Sequence, residues 1–196
     1  MLSVSDLMLA RGDRVLARGL SLTLQPGEGL VLTGANGSGK TSLLRAVAGL
    51  LKPMAGQITF DGEGERADRL HLLGHQAGQK SGRTADEELR FWCGWAGAGP
   101  AGMARAIETL ALKPLLPLPV RVLSAGQRKR LAMARLVAAP RPLWLLDEPL
   151  APLDADWREA FGRMAEAHLA TGGMILAAAH DPMPFAHRTF SVGDFA

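Results

Sequence analysis

The sequence contains no tyrosine and only one cysteine, Cys93. A single cysteine cannot form a disulfide within the chain, which excludes the disulfide-stapled folds of small secreted proteins and suits a reducing compartment. No apolar run approaches the roughly eighteen residues that a membrane-spanning helix needs. Asp6 interrupts the apolar N-terminal residues and no basic cluster precedes it, so we expect no signal peptide. A role at a membrane therefore requires another polypeptide.

The net charge is also small, because 22 Lys and Arg residues against 19 Asp and Glu residues leave a formal charge of +3. The basic residues are scattered and are not interleaved with aromatic residues, so we expect no nucleic-acid partner. Repeats and low-complexity segments are absent. A chain of 196 residues is long enough to bury a sizeable core, and we expect one α/β domain over residues 1–196.

The strongest motif is Gly34-Ala35-Asn36-Gly37-Ser38-Gly39-Lys40-Thr41, called the phosphate loop below. The apolar run 29–33 before it predicts a strand, and a helix is predicted to continue through Ser42, which we include among the nucleotide-binding residues. Glycines let successive N–H groups converge on phosphate oxygens at the start of a helix. Lys40 then supplies a mobile charge for the β- and γ-phosphates of ATP, and the Thr41 hydroxyl is a ligand for Mg²⁺. An ordinary glycine-rich turn would not need Lys-Thr at this spacing.

A second motif is the apolar run 143–146, which leads directly into Asp147 and Glu148. Such a run is typical of a parallel central strand whose carboxyl end opens onto a ligand crevice. We interpret Asp147 as a support for the magnesium ion and Glu148 as the group that polarises the attacking water. The alternative is a strand followed by a solvated acidic turn, which the presence of the phosphate loop disfavours.

The third motif, called the signature below, is Leu123-Ser124-Ala125-Gly126-Gln127. It resembles the Leu-Ser-Gly-Gly-Gln signature of ABC-type ATPases, with Ala125 in place of the first glycine. The segment opens a helix predicted to end near Ala138, and a helix N-terminus offers N–H groups to an anion. The resemblance implies that this anion is the γ-phosphate held by a second copy of the chain, so that the ATPase works as a homodimer. We interpret the adjoining run 128–130 as a solvated basic face.

The resemblance also assigns roles to two single polar residues. Gln76 is similar to the glutamine that senses magnesium and water, and His180 to the switch histidine that contacts the γ-phosphate. With Lys40 and Glu148 they complete the expected catalytic set. Leu153 and Asp154 match the turn through which members of the family contact each other in the dimer, although Pro152 stands where a small residue is usual. Near Arg11 the chain lacks the aromatic residue that many relatives stack on adenine, and the sequence leaves open whether the Arg11 guanidinium or another group takes that place.

The fold expected from these patterns is an α/β phosphate-loop NTPase of the ABC type. Residues 1–33 predict an antiparallel β layer with a turn at residues 11–13, residues 78–138 a helical subdomain, and residues from 143 onward the rest of a parallel sheet. Thr84 and Glu87 have the spacing of a capping box at the start of a helix. Within the helical segment, Phe91, Trp92 and Trp95 have two interpretations: core packing, which is favoured because aromatic residues at helical spacing are usually buried, or a groove for a membrane partner.

A narrower resemblance covers nearly the whole chain. Residues 73–80, the phosphate loop and the Ala125 form of the signature are similar to the ATP-binding subunit of the bacterial haem exporter used in cytochrome c maturation. This implies an ATPase attached peripherally to the cytoplasmic face of the inner membrane, driving integral membrane subunits. Haem is expected to stay with those partners, and we interpret His71, His75 and Cys93 as ordinary loop and core residues.

Two other functions remain open from the sequence. A soluble ABC ATPase acting on nucleic acid or ribosomes usually carries tandem cassettes or a long coiled-coil insertion, and neither fits in this length. A nucleotide-binding regulator that does not hydrolyse ATP is disfavoured, because Lys40, Asp147, Glu148 and His180 are all present.

Overall fold

The structure is a computed structural model that describes residues 1–12, 14–74 and 78–195. In this part of the chain, eight strands and five α-helices follow one another, joined by turns and short 3-10 segments. Their bounds are β1 (Leu2–Arg11), β2 (Arg14–Leu24), β3 (Gly29–Thr33), α1 (Lys40–Val47), β4 (Ala55–Phe60), β5 (Leu70–Leu73), α2 (Ala85–Trp95), α3 (Pro100–Thr109), α4 (Ala125–Ala138), β6 (Leu143–Asp147), α5 (Ala155–Ala170), β7 (Met174–Ala178) and β8 (Arg188–Ser191).

The central sheet has five strands in the order β5-β6-β7-β3-β8, and each neighbouring pair is parallel. Strands β6 and β7 are buried along their whole length because both faces of the sheet are covered. Successive side chains alternate between the two faces, so Trp144 belongs to a core with α2 to α5, whereas Leu145 belongs to a core with α1 and the antiparallel layer. The predicted parallel sheet is therefore confirmed. The antiparallel layer predicted for residues 1–33 was wrong for β3, which lies in this parallel sheet between β7 and β8.

The antiparallel layer is a three-stranded sheet in the order β2-β1-β4. The sequence predicted the β1–β2 hairpin, which turns at Arg11 and Gly12. Strand β4, however, pairs with the other edge of β1 only after the chain has passed through β3 and α1. It was not predicted, because four of its six residues are exposed and its sequence lacks a strong apolar alternation.

The helical segment between β5 and β6 consists mainly of α2, α3 and α4. Helix α2 begins with the predicted capping box, in which Thr84 and Glu87 bond each other's backbone N–H groups. Helices α3 and α4 approach so closely that a side chain at Gly102 would collide with the Ala138 carbonyl. This segment carries the signature at the start of α4.

The aromatic residues of α2 are more exposed than the favoured interpretation, core packing, predicts. Phe91 and Trp95 are 47% and 62% exposed, and Trp92 is only half-buried, so core packing was wrong for the first two. Leu89 and Cys93, on the same helix, are the residues that pack in the core. Periodicity identified a common helical face, but nothing in the described part of the chain covers its outer edge.

A buried histidine in β5 makes the stability of the fold depend on pH. His71 is 2% exposed, and its Nε2–H donates to the Ala139 carbonyl over 2.7 Å. Burial, with lesser contributions from Arg141 and Arg135, lowers its pKa from 6.5 to about 4. The ring is therefore neutral in the folded state, whereas the unfolded state takes up a proton below pH 6.5.

We expect the free energy of unfolding to fall by about 2 kcal/mol between pH 7 and pH 5 because of His71 alone, and the loss to continue as the pH approaches the folded pKa. Denaturant titrations at several pH values measure this slope. His71→Leu should flatten it, because this variant lacks the group whose pKa differs between the two states. An identical slope in His71→Leu and wild type would contradict the assignment.

Candidate functional site

The phosphate loop joins the end of β3 to the start of α1. Gly34, Gly37 and Gly39 have φ angles of 133°, 82° and 102°, which side-chain-bearing residues rarely adopt. At Gly39, which caps α1, a Cβ would also lie 3.3 Å from the Cβ of Leu16. Helix α1 has no side-chain cap and no acidic residue in its first turn. Its first N–H groups, including those of Thr41 and Ser42, are thus free to bind an anion.

Two polar groups of the loop fit a phosphate ligand. Lys40 is 8% exposed, and its Nζ donates to the carbonyl oxygens of Gly34 and Ala35 over 2.7 and 3.1 Å. The Ser38 hydroxyl is buried without a partner among the described residues. A buried hydroxyl without a partner is unfavourable, and a phosphate oxygen in the loop would supply one.

A hydroxyl and a carboxylate meet beside the loop. The Thr41 hydroxyl donates to Asp147, lying 3.1 Å from Oδ1 and 3.0 Å from Oδ2. Asp147 ends β6 and is 6% exposed. Oxygen donors of this kind suit Mg²⁺, which takes one or two protein ligands and completes its shell with water and substrate phosphates. In the described part of the chain no cluster of three His, Cys, Asp or Glu residues forms a separate metal site.

Glu148 and His180 follow the ends of the adjacent strands β6 and β7. Glu148 has a φ of 46°, in the left-handed region, and its Oε1 lies 3.8 Å from His180 Nε2. The same His180 nitrogen donates to Asn36 Oδ1 over 2.8 Å, which ties it to the phosphate loop. Gln76, the other residue predicted here, lies outside the described residues.

The signature forms a capped helix start elsewhere on the same chain. The Ser124 hydroxyl accepts a hydrogen bond from the Gln127 N–H over 3.1 Å, and the Gln127 amide oxygen accepts one from the Ser124 N–H over 2.8 Å. Ser124 and Ala125 are exposed. At Gly126 a Cβ would lie 2.9 Å from the Pro152 carbonyl, so this glycine allows the signature to pack against the turn before α5. Among the described residues, no hydrogen bond or ion pair joins residues 124–127 to the phosphate loop.

Other residues singled out in the sequence lie apart from this site. Arg11 is exposed at the end of β1. His71 and Cys93 are both buried, and burial raises the pKa of the Cys93 thiol to about 11, so neither is an open ligand. His75 lies outside the described residues. Asp154 caps α5 by accepting a hydrogen bond from the Trp157 N–H over 3.0 Å.

Sequence reasoning missed the support behind the phosphate loop. The 3-10 turn Val192–Phe195 follows β8, and it places the Gly193 nitrogen 3.4 Å from where a Cβ of Gly34 would lie. Val192 is fully buried, and its Cγ1 lies 3.8 Å from where a Cβ of Gly39 would lie. A short turn of this kind has no periodicity that would have revealed it.

The interpretation of the basic run 128–130 was wrong. The run was interpreted as a solvated basic face, but Lys129 is 6% exposed, and Arg128 and Arg130 are half-buried. Lys129 Nζ donates to the Glu148 carbonyl over 3.0 Å, and the Arg130 guanidinium lies 4.2 Å from the ring centroid of Trp157. Helix α4 is covered on this side by the strand ends and by α5, which the sequence pattern alone does not reveal.

Comparisons with known protein families and with individual proteins point to the same family. The family described as ABC transporter matches residues 17–151. The chain is 47% identical over 196 residues to the cytochrome c biogenesis ATP-binding export protein CcmA of Rhodopseudomonas palustris (strain BisB5), with 98% of each chain covered. The protein of the same name from Hyphomonas neptunium (strain ATCC 15444) is 47% identical over 185 residues, with 94% of this chain and 92% of that protein covered.

Among solved structures, the dimeric structure of MJ0796, a bacterial ABC transporter cassette, has a TM-score of 0.82 at 21% identity. The match covers 98% of this chain and 95% of that one, and at this identity it shows the fold alone. The family match and the two relatives go further, because the first covers residues 17–151 and the relatives are 47% identical over most of the chain. This chain therefore belongs to the ABC transporter family, within the group of cytochrome c biogenesis ATP-binding export proteins.

Proposed function

We infer that this chain is the ATP-hydrolysing subunit of an ABC export complex that serves cytochrome c biogenesis, and that the exported group is haem. The observation that carries the ATPase is the contact of Thr41 with Asp147, and of Glu148 with His180, beside the phosphate loop that contains Lys40. The export role is supported by the names of relatives that match nearly the full length of the chain.

Each of these residues has a distinct part in ATP hydrolysis. The N–H groups at the start of α1 and the Lys40 ammonium bind the phosphates and balance their charge. Thr41 and Asp147 hold the Mg²⁺ ion, which when bound stabilises charge on the phosphate oxygens. Glu148 orients and polarises the attacking water, and His180, which Asn36 holds beside the phosphate loop, contacts the γ-phosphate.

We propose that the functional form is a homodimer in which each signature completes the partner's nucleotide site. The support lies in the signature's exposed Ser124 and Ala125, at a helix start that, among the described residues, has no hydrogen bond or ion pair to the phosphate loop of its own chain. Backbone N–H groups at such a start bind an anion that another subunit presents. Gln76 is proposed to sense the magnesium ion and the water.

A cleft of about 1000 Å³ leads from this site to the outer edge of α2. Thr41 and Asp147 line it together with Trp92, Trp95 and Leu50. No helix among the described residues is long and apolar enough to cross a membrane. We propose that an apolar segment of an integral membrane subunit occupies the cleft at the cytoplasmic face of the inner membrane, so that closure around ATP moves that segment.

Co-purification tests this assignment. We expect the chain to copurify with an integral membrane protein, and Trp95→Ser to reduce the recovered partner several-fold, because Trp95 is a large exposed apolar surface at the mouth of the cleft. ATP hydrolysis by the isolated variant should be unchanged. Leu118→Ser, which alters an exposed apolar residue of the same segment outside the cleft lining, is the matched control. Full recovery of the partner by Trp95→Ser would contradict docking in the cleft.

A further inference from the structure

Lys129 is a buried cation in the first half of α4. Its side chain is 6% exposed, and among the described residues no carboxylate lies within 4.0 Å of its ammonium. Burial lowers its pKa to about 8, although the charges of Asp147 and Glu148 oppose that shift. A buried ammonium without an ion-pair partner is unfavourable, and it persists where the surrounding structure uses its hydrogen bonds.

The one hydrogen bond described for the Lys129 side chain goes to the backbone of Glu148. Nζ donates to the Glu148 carbonyl oxygen over 3.0 Å, and the N–H of the same residue donates to the Ala178 carbonyl over 2.9 Å. Both backbone groups of Glu148 are therefore fixed, one by α4 and the other by the end of β7.

These two hydrogen bonds matter because Glu148 has an unusual backbone conformation. Its φ of 46° lies in the left-handed region, which residues with side chains rarely occupy unless neighbouring contacts hold them there. The conformation turns the carboxylate toward His180, with Oε1 3.8 Å from Nε2. If the carbonyl were released, the peptide would be free to relax and the carboxylate to leave that position.

Lys129 also lies two residues after Gln127, on the same helix as the signature. We propose that Lys129 is a positioning residue, which holds Glu148 where its carboxylate polarises the water that attacks the nucleotide of the same subunit. Lys129 thereby links this carboxylate to the helix whose start binds the partner's nucleotide. The inference rests on the proposed ATPase function. A displacement of α4 on engaging the second nucleotide is then transmitted to Glu148 through one hydrogen bond.

Three variants test the role. Lys129→Met keeps most of the volume and removes the donor, Lys129→Arg keeps a donor, and Lys113→Met removes an exposed cation elsewhere in the helical segment. For Lys129→Met we expect kcat to fall at least about 10-fold with the KM for ATP little changed, since a misplaced reacting group costs up to about 100-fold. Lys129→Arg should recover most of kcat, and Lys113→Met should match wild type.

A double-variant cycle separates positioning from plain structural support. If Lys129 acts through the Glu148 carboxylate, adding Lys129→Met to Glu148→Gln should leave the residual single-turnover rate nearly unchanged. An equal slowing in both backgrounds would overturn the proposal, as would a wild-type kcat in Lys129→Met or a kcat loss that follows KM and thermal stability. Failure of the wild-type chain to hydrolyse ATP would contradict the proposed function instead.

Discussion

Glu148→Gln should bind ATP normally, hydrolyse it at least about 100-fold more slowly than wild type, and accumulate as a dimer. The amide keeps the size of the side chain and the backbone bonds to Lys129 and Ala178, but it cannot polarise a water as a carboxylate does. In the proposed homodimer, hydrolysis would separate the two subunits, so the dimer holding two ATP molecules should persist in this variant. Steady-state ATPase assays and size-exclusion chromatography with ATP and Mg²⁺ measure the two effects.

The matched control is Glu159→Gln, which neutralises an exposed carboxylate paired with Arg163 on α5. It should hydrolyse ATP at the wild-type rate and show no trapped dimer, since exposed ion pairs contribute little. A Glu148→Gln protein that remains a monomer under saturating ATP and Mg²⁺ would refute the shared nucleotide site.

Lys40→Ala has the second large effect, because it acts on nucleotide binding itself. It removes the ammonium that holds the Gly34 and Ala35 carbonyls and that is proposed to reach the β- and γ-phosphates. Hydrogen bonds from a charged group contribute about 1.5–3 kcal/mol each, so kcat/KM should fall on the order of 100-fold or more. Equilibrium binding of a fluorescent ATP analogue and the ATPase rate test this together.

Lys52→Ala is the control for this loss, since Lys52 is an exposed lysine shortly after α1. It changes the net charge equally and should keep wild-type affinity. Tight ATP binding by Lys40→Ala would mean that the backbone N–H groups of the loop suffice, and the role given to the ammonium would be wrong.

Much of this molecule follows from local sequence. The strand of residues 29–33, the capping box at Thr84 and the helix opened by Ser124 appear where the sequence predicted them, since glycine spacing, cap residues and apolar periodicity act over a few residues. The meeting of Thr41 with Asp147 was also foreseeable, because the carboxyl ends of parallel strands share one edge of a sheet.

The remaining features depend on what covers a surface, and that is a tertiary property. Lys129 and its two arginine neighbours have the composition of a solvated helix face, yet the ends of the strands bury Lys129. Phe91 and Trp95 have the spacing of core residues, yet their edge of α2 is open. Strand β4 gains its place from pairing with β1 rather than from its own pattern. For α2 and α4, periodicity identifies the helix but does not determine what packs against each of its faces.

The aromatic composition of the cleft has a consequence for spectroscopy. Because the chain has no tyrosine and four tryptophans, its near-ultraviolet emission comes from indole rings alone. Trp92 and Trp95 line the cleft and stack edge to face with centroids 6.0 Å apart, whereas Trp144 is buried in the core. Occupation of the cleft by a membrane subunit would dehydrate the exposed indole of Trp95 and move its emission to shorter wavelength. The unmodified chain thus carries its own optical reporter of docking.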